Sequence, residues 1–471
     1  MRSTLALVLA AAAGVLHAAG QAVPQGGVPF TPAARQLTRW VETFNAGDRA
    51  VWERFAREHY PSQPTPDPDL ALREQTGGLD LLNFEEITAT RAVAVAKVRD
   101  AESTGVRIIV DVQAAEPNRI VGVGVQPGVV LPSAVARLPE PALPEAIRAE
   151  LERRSRADRF AGAVVVTRNR TRVFGGAYGL ADRERGVANR LDTRFRNGSM
   201  NKMFTAVAVL TLVQAGKLSL QDPVGKYVPG LQDRSLAAAT IHQLLTHTGG
   251  AGDVFGPEFF DNRQSLREHG DYVRLFAARP PLFEPGSRWM YSNFGFVLLG
   301  AVVERVSGQS YYDYVAAQVY APAGMNSTGS EPEDRVVERR AIGYVKRPGG
   351  VWLSNVPTLP YRGTAAGGGY TTVEDLARFA EALTSRRLLD AKHTELLLSG
   401  KVDAMDGRYA YGFIERRIGG RSSIGHGGNA PGMDGELLIF PSNGYVIAVL
   451  SNLDAPAAQF TAEFIANRLP D

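Results

Sequence analysis

Cysteine is absent from all 471 residues. That excludes disulfides, thiol catalysis, cysteine metal ligands and a lipid-anchored cysteine behind a signal segment. It does not exclude an oxidising compartment, which permits disulfides without requiring them. Lysine is almost as scarce, with seven among the 52 basic residues, the rest being arginine. The arginines are scattered, the net charge is only +3, and no basic block of the kind that holds nucleic acid is present. Long apolar runs are lacking too. The run over 5–16 is too short for a comfortable membrane span. It follows Met1-Arg2 and precedes the small residues of 18–22. That pattern predicts a cleavable signal peptide over 1–22, hence a periplasmic or secreted protein with no stable membrane insertion once the signal is removed. A Gly-x-Ser-x-Gly stretch is also missing, which argues against the nucleophile elbow of the α/β-hydrolases.

What is present is an ordinary folding composition, 44% hydrophobic and 21% charged, in a chain long enough for more than one core. Leu37, Trp40, Val41 and Phe44 recur at helical spacing; Gly47-Asp48 stops that helix and caps a second containing Trp52, Phe55 and Ala56. Three strands follow over 92–98, 107–112 and 119–125, rich in β-branched residues. Helices followed by an antiparallel meander make an α+β module over 27–127. Its element order and its Asn45-Ala46-Gly47-Asp48 turn resemble the cone-shaped NTF2-like fold. Its aromatic residues read as core.

Five prolines between 127 and 144 read as a linker over 128–143. In the remainder, 144–471, strands are expected at 163–167 and 172–178, and near the end at 411–417, 435–440 and 445–451. Between them the periodicity predicts helices from about 199 to 216, 294–306 before Gly308, and 373–383 behind Thr372. Asp454 is expected to cap a last helix containing Phe460, Phe464, Ile465 and Leu469. Strands at both ends with helices between predict one antiparallel sheet closed by the two ends of this region, with an all-helical insertion.

Three short motifs carry the chemistry. Ser199 and Lys202 lie three residues apart at the start of an apolar helix, so a hydroxyl and an amine share one face. Chance supplies this spacing about 0.3 times given 22 serines and seven lysines. A serine at a helix start is also an ordinary N-cap, but a buried lysine there opposes the helix dipole and is costly unless it has a task. Arginine could not replace it, because a guanidinium keeps its proton. The second motif is Tyr291-Ser292-Asn293, behind the Pro285-Gly286 bend. A phenol beside a lysine can exchange protons, and Asn293 can accept from an amine while donating to a carbonyl. The third is Gly425-His426-Gly427-Gly428-Asn429. Its glycines let a substrate approach the backbone, and the Asn429 N–H can join that of Ser199 as an oxyanion hole. The alternative for this stretch is a glycine-rich hairpin turn with an exposed histidine. No residues at metal-ligand spacing surround His426, and neither a metal nor a cofactor is expected.

In the order Ser-x-x-Lys, Tyr-x-Asn, His-x-Gly, these motifs resemble the penicillin-recognising serine hydrolases: class C β-lactamases, D,D-peptidases, D-aminopeptidases and their esterase relatives. The segments 179–182, 195–199, 244–249, 322–325 and 368–370 look like the same family, and the resemblance covers the chain from about Leu143 onward. It implies a β-lactamase-like fold and an acyl-enzyme on Ser199. Lys202 and Tyr291 would share the proton transfers, while Asn293, His426, Gly428 and Asn429 would bind the substrate and its oxyanion. His247 falls in one of these segments and reads as structural.

One departure narrows the substrate. Where β-lactamases usually carry Lys-Thr-Gly or Lys-Ser-Gly, this chain has His426-Gly427-Gly428. It therefore lacks a permanent cation for a carboxylate. The expectation is an exported hydrolase of an ester or a D-amino-acid or peptide amide, acting on a small-molecule or short-peptide substrate. A β-lactamase or D,D-carboxypeptidase ranks second. A non-catalytic binding protein using the cleft or the N-terminal module is the alternative of a different class, and the complete set of catalytic residues argues against it.

Overall fold

The computed structural model describes residues 31–470 except 63, 133–134, 348 and 405–406. The expected signal peptide lies outside the described residues. The chain divides into two compact units, each described by itself.

The smaller unit holds the described residues up to Ala136 together with Lys346–Trp352. Helix Pro32–Ala46 starts at Thr31, whose hydroxyl accepts from the Ala34 N–H, and stops at Gly47. Asp48 then caps Arg49–His59 by accepting from Val51 N–H at 2.9 Å. A third helix, Asp67–Thr76, and a strand, Leu79–Ile87, add to the expected elements. Asp69 on the third helix accepts from the indole N–H groups of Trp40 at 3.2 Å and Trp52 at 3.1 Å, tying all three helices together. The four strands Leu79–Ile87, Arg91–Val98, Thr104–Val112 and Ile120–Val130 form an antiparallel meander in sequence order. The last of them runs past 127 to Val130.

The larger unit is α+β and carries an eight-stranded antiparallel sheet. In spatial order its strands are Val402–Ala404, Gly407–Tyr409, Ile414–Ile418, Arg421–Ala430, Met433–Phe440, Tyr445–Ser451, Gly162–Arg168 and Thr171–Tyr178. The first strand of the unit in sequence, Gly162–Arg168, thus pairs with the last, Tyr445–Ser451, so the two ends of this region close the sheet. Met433–Phe440 and Tyr445–Ser451 are buried along their whole length, as expected for strands covered on both faces.

Most helices of this unit lie between its strands in sequence, with Leu143–Arg156 before them and Ala457–Arg468 after. Helix Asn201–Gln214 is buried at every residue from Asn201 to Leu210, so it runs through the core instead of along its surface. Phe204 meets Tyr320 and Phe379 edge-to-face at 5.3 and 4.9 Å, contacts that contribute about 0.5–1.5 kcal/mol each beyond area burial. Helix Asn293–Ser307 ends at Gly308 and is also apolar nearly all round. Val373–Thr384 is amphipathic and capped by Thr372, which accepts from Asp375 N–H.

Asp454 does not cap the last helix, Ala457–Arg468. Its carboxylate accepts from Gly432 N–H instead, and the free N–H groups of Ala458 and Gln459 are met by Asp434 from a neighbouring strand. A cap supplied across the sheet leaves no local sequence signal. Among the described residues no helix is long and apolar enough to cross a membrane.

Candidate active site

Ser199 sits in a tight 3-10 turn, Gly198–Met200, that runs straight into the buried helix Asn201–Gln214. Gly198 has φ +48°, and a Cβ there would stand 2.9 Å from the Asn429 backbone nitrogen. Left-handed backbone and close approach together require glycine at this position. Asn197, fully buried, donates to the Asn201 side chain at 2.7 Å, and Asn201 donates to the Thr364 carbonyl at 3.0 Å. The turn is therefore held from both sides.

Lys202 is completely buried, while Ser199 is half-buried and reachable. The Lys202 amine meets three oxygens: Ser199 Oγ at 3.2 Å, Asn293 Oδ1 at 2.7 Å and the Ala366 carbonyl at 2.6 Å. The rings of Tyr291 and Phe296 lie over it at 4.6 and 5.5 Å. Burial pushes the amine down to about 7, against the opposing pull of the Asp253 carboxylate. As an ammonium it can donate to all three oxygens. As a neutral amine it keeps two N–H groups for the nearer pair and turns its lone pair toward the Ser199 hydroxyl, the arrangement a general base needs.

Tyr291 and Asn293 stand at the start of helix Asn293–Ser307. Ser292 caps this helix by accepting from Gly295 N–H at 2.9 Å, and its own hydroxyl donates to the Gly252 carbonyl at 2.6 Å. This cap fixes the residues on either side of it. Asn293 Nδ2 donates to both carboxylate oxygens of Asp253, each at 3.1 Å. A carboxylate only accepts, so the amide nitrogen must face Asp253 and the amide oxygen must face Lys202. Tyr291 is half-buried, and burial raises its phenol well above the ordinary tyrosine range against the opposing effect of the Ser199 hydroxyl.

The His426 stretch is no hairpin turn. It is the interior of strand Arg421–Ala430, and His426 is buried. The glycines are demanded by neighbouring backbone. A Cβ at Gly425 would meet the Leu437 carbonyl at 1.8 Å, and one at Gly428 the Asn197 carbonyl at 2.1 Å and Ser199 N at 2.9 Å. Gly428 thus lies directly against the backbone of Ser199 and the Asn429 backbone against Gly198, with the Asn429 side chain exposed. The His426 ring faces Tyr291 at 6.4 Å, and burial together with Lys202 pushes the imidazole down to about 3.

The three motifs, distant in sequence, therefore converge on Ser199. Four further participants were not foreseen as such. Asp253 lies in an irregular loop and orients Asn293. The Ala366 carbonyl is a backbone atom of the glycine-rich 364–369 loop and leaves no side-chain signal. Tyr409 ends the short strand Gly407–Tyr409, second from the edge of the sheet, and donates or accepts at both His247 Nε2, 2.9 Å away, and His426 Nε2, 3.1 Å away. His247, read as structural, packs its ring 4.4 Å from that of Tyr291. It also has a left-handed backbone, φ +60°, a conformation that costs about 1–2 kcal/mol for a non-glycine residue. Among the described residues no group of three or more histidine, aspartate and glutamate side chains is arranged to hold a metal ion.

This geometry agrees with comparisons to known proteins. The model of the β-lactamase family matches residues 147–469. The chain belongs to that family. Over 196 residues it is 41% identical to the esterase EstB of Burkholderia gladioli, a stretch that is 38% of this chain and 50% of the esterase; the chain thus spans half the length of that curated relative. Among solved structures it is similar to a penicillin-binding protein from Bacillus halodurans, with TM-score 0.61 and 32% identity, covering 66% of this chain and 97% of the other. A D-stereospecific amidohydrolase from a Streptomyces species matches with TM-score 0.58 and 28% identity, covering 68% of this chain and 97% of the other.

Proposed function

We propose that this member of the β-lactamase family is an exported serine hydrolase that forms an acyl-enzyme on Ser199, with an ester or a D-amino-acid or peptide amide as substrate. The observation that carries the reading is the Lys202 amine, buried and 3.2 Å from Ser199 Oγ. Burial lowers this amine to about 7 and raises the Tyr291 phenol, so at neutral pH Lys202 is the partner with a free base form. Lys202 takes the Ser199 proton as Oγ bonds to the substrate carbonyl carbon. The N–H groups of Ser199 and Asn429 hold the resulting oxyanion, a contribution of about 3–4 kcal/mol per donor. The proton then passes, by way of the Tyr291 hydroxyl, to the leaving alcohol or amine as the carbonyl–heteroatom bond breaks. Water repeats the sequence on the acyl-enzyme.

The substrate class follows from charge. His426 supplies no cation for a carboxylate, which places penicillins and carboxylate-terminated peptides behind neutral esters and amides. Similarity to an esterase and to a D-stereospecific amidohydrolase supports ester and amide substrates. We assign this activity to 144–471 and none of it to the N-terminal α+β module.

Two measurements test the proposal. A fluorophosphonate probe is expected to label the folded protein at Ser199, and labelling is expected to vanish in Ser199→Ala; absence of labelling in the intact protein would overturn the assignment. Turnover of a p-nitrophenyl ester, a D-alanyl amide and nitrocefin, compared as kcat/KM, ranks the substrates. High nitrocefin turnover without esterase activity reverses that ranking.

A further inference from the structure

The hydrogen bonds around His426 have only one consistent direction. The Ser292 N–H donates to His247 Nδ1 at 3.1 Å, so that nitrogen carries a lone pair and the His247 proton sits on Nε2. His247 Nε2–H then donates to the Tyr409 hydroxyl at 2.9 Å. Having accepted there, Tyr409 donates its single hydrogen to His426 Nε2 at 3.1 Å. His426 must therefore hold its proton on Nδ1, from which it donates to the Gly427 carbonyl. All three side chains are buried, at 1% exposure for His247, 0% for Tyr409 and 4% for His426. A proton added at His426 Nε2 would confront the Tyr409 oxygen with two N–H donors and leave the phenol hydrogen without an acceptor, in a place water does not reach. The charged groups facing His426 oppose that proton as well: Lys202 from the buried helix and Arg416 from the adjacent strand. Of the ionisable rings near it among the described residues, the phenols of Tyr291 and Tyr409 pack beside it, and the His247 imidazole opposes a further positive charge.

We infer that His247 and Tyr409 are positioning residues that lock His426 in its neutral, Nδ1-protonated form, so that the strand edge beside the acyl-enzyme selects uncharged acyl groups. The left-handed backbone of His247 fits this role. Buried strain of that kind persists where the surroundings over-determine it, and here both ring nitrogens and the His247 carbonyl, which accepts from Met290 N–H, are engaged. The selection of acyl groups rests on the proposed acyl-enzyme at Ser199, whereas the locked tautomer does not.

The test is a long-range proton–nitrogen spectrum of the full chain labelled with nitrogen-15 histidine, from about pH 5 to about pH 8, with His426→Gln and His247→Gln used to assign the two rings. Expected are an Nδ1–H pattern for His426 and an Nε2–H pattern for His247, both unchanged over that range. Tyr409→Phe removes only the hydroxyl. It is expected to mix the His426 tautomers and to lower about fivefold the preference, as kcat/KM, for a neutral ester over the same ester bearing a terminal carboxylate. An Nε2–H pattern or titration near pH 6.5 for His426 in the unmodified protein overturns the inference, and that spectrum decides even where the variant fails to fold. So does a Tyr409→Phe protein whose spectrum and preference match those of the parent. If the tautomers are as expected but Ser199 takes no probe, the proposed activity fails and the lock stands.

Discussion

Lys202 and His426 are both buried bases on either side of Ser199, and their surroundings treat protons in opposite ways. Lys202 is met by three oxygens, all able to accept. Such a shell welcomes the ammonium yet stays satisfied when one proton leaves, because the third oxygen is a hydroxyl that can turn and donate. His426 is met by a donor on one nitrogen and an acceptor on the other, a shell that fits one neutral tautomer and no other state. Burial is common to the two; the polarity of the hydrogen bonds makes one a proton exchanger and the other a fixed neutral wall. Burial lowers both, the amine to about 7 and the imidazole to about 3.

The largest effect belongs to the exchanger. Lys202→Ala is expected to lower kcat/KM for a p-nitrophenyl ester about 1,000-fold, within the range for removing a positioned general base. Lys202→Arg is expected to do no better, since a guanidinium does not give up its proton. An arginine variant retaining more than about a tenth of the parental kcat/KM would mean that Lys202 acts as a fixed charge, and the contrast with His426 would collapse.

Much of this contrast was legible in the sequence, and the rest was hidden for physical reasons. Ser199 and Lys202 announce themselves because a buried lysine at that spacing is costly to keep without a task, whereas Tyr291 and Asn293 carry weight only in the order of the three motifs. The strands of the large sheet were readable from runs such as 445–451. For the His426 stretch only the alternative of an exposed hairpin turn fails: glycines on both sides signal a turn locally, whereas in the folded chain they clear space for the backbones of Leu437 and Asn197, partners set by tertiary structure. Asp253 and the Ala366 carbonyl act through loop geometry, which no periodicity encodes. Helix Asp67–Thr76 escaped notice because its apolar face is short, with only Thr76 buried, and its anchor is the paired indole contact at Asp69.

A smaller effect probes how the exchanger is tuned. The Asp253 carboxylate raises the Lys202 amine against the stronger lowering by burial. Asp253→Asn keeps an acceptor for the Asn293 amide but deletes the charge, so the neutral amine should persist to lower pH. The acid limb of kcat/KM, which reports the free protein, is expected to move down from near 7 by about half a pH unit, with the plateau falling less than about tenfold. A limb that stays in place, or moves up, would show that Lys202 does not set it.

The smallest effect separates burial from function altogether. Asp434 is as deeply buried as Lys202, and burial raises its carboxyl to about 8. Yet it caps helix Ala457–Arg468 through Ala458 and Gln459 and touches no reacting group. A folded pKa above the unfolded value means the native state binds the proton more tightly. Its stabilising contribution is complete below about pH 4 and is lost progressively up to about pH 8. Asp434→Asn cannot titrate. The stability advantage of the parent over this variant should therefore shrink as pH rises from about 5 to about 8, by roughly 5–10 °C in Tm, while kcat/KM at each pH stays within about twofold. A constant Tm difference would place the folded pKa of Asp434 below that interval. A large loss of activity would show that a buried charge in this sheet reaches the site without touching it, and polarity of contact alone would no longer explain why Lys202 and His426 differ.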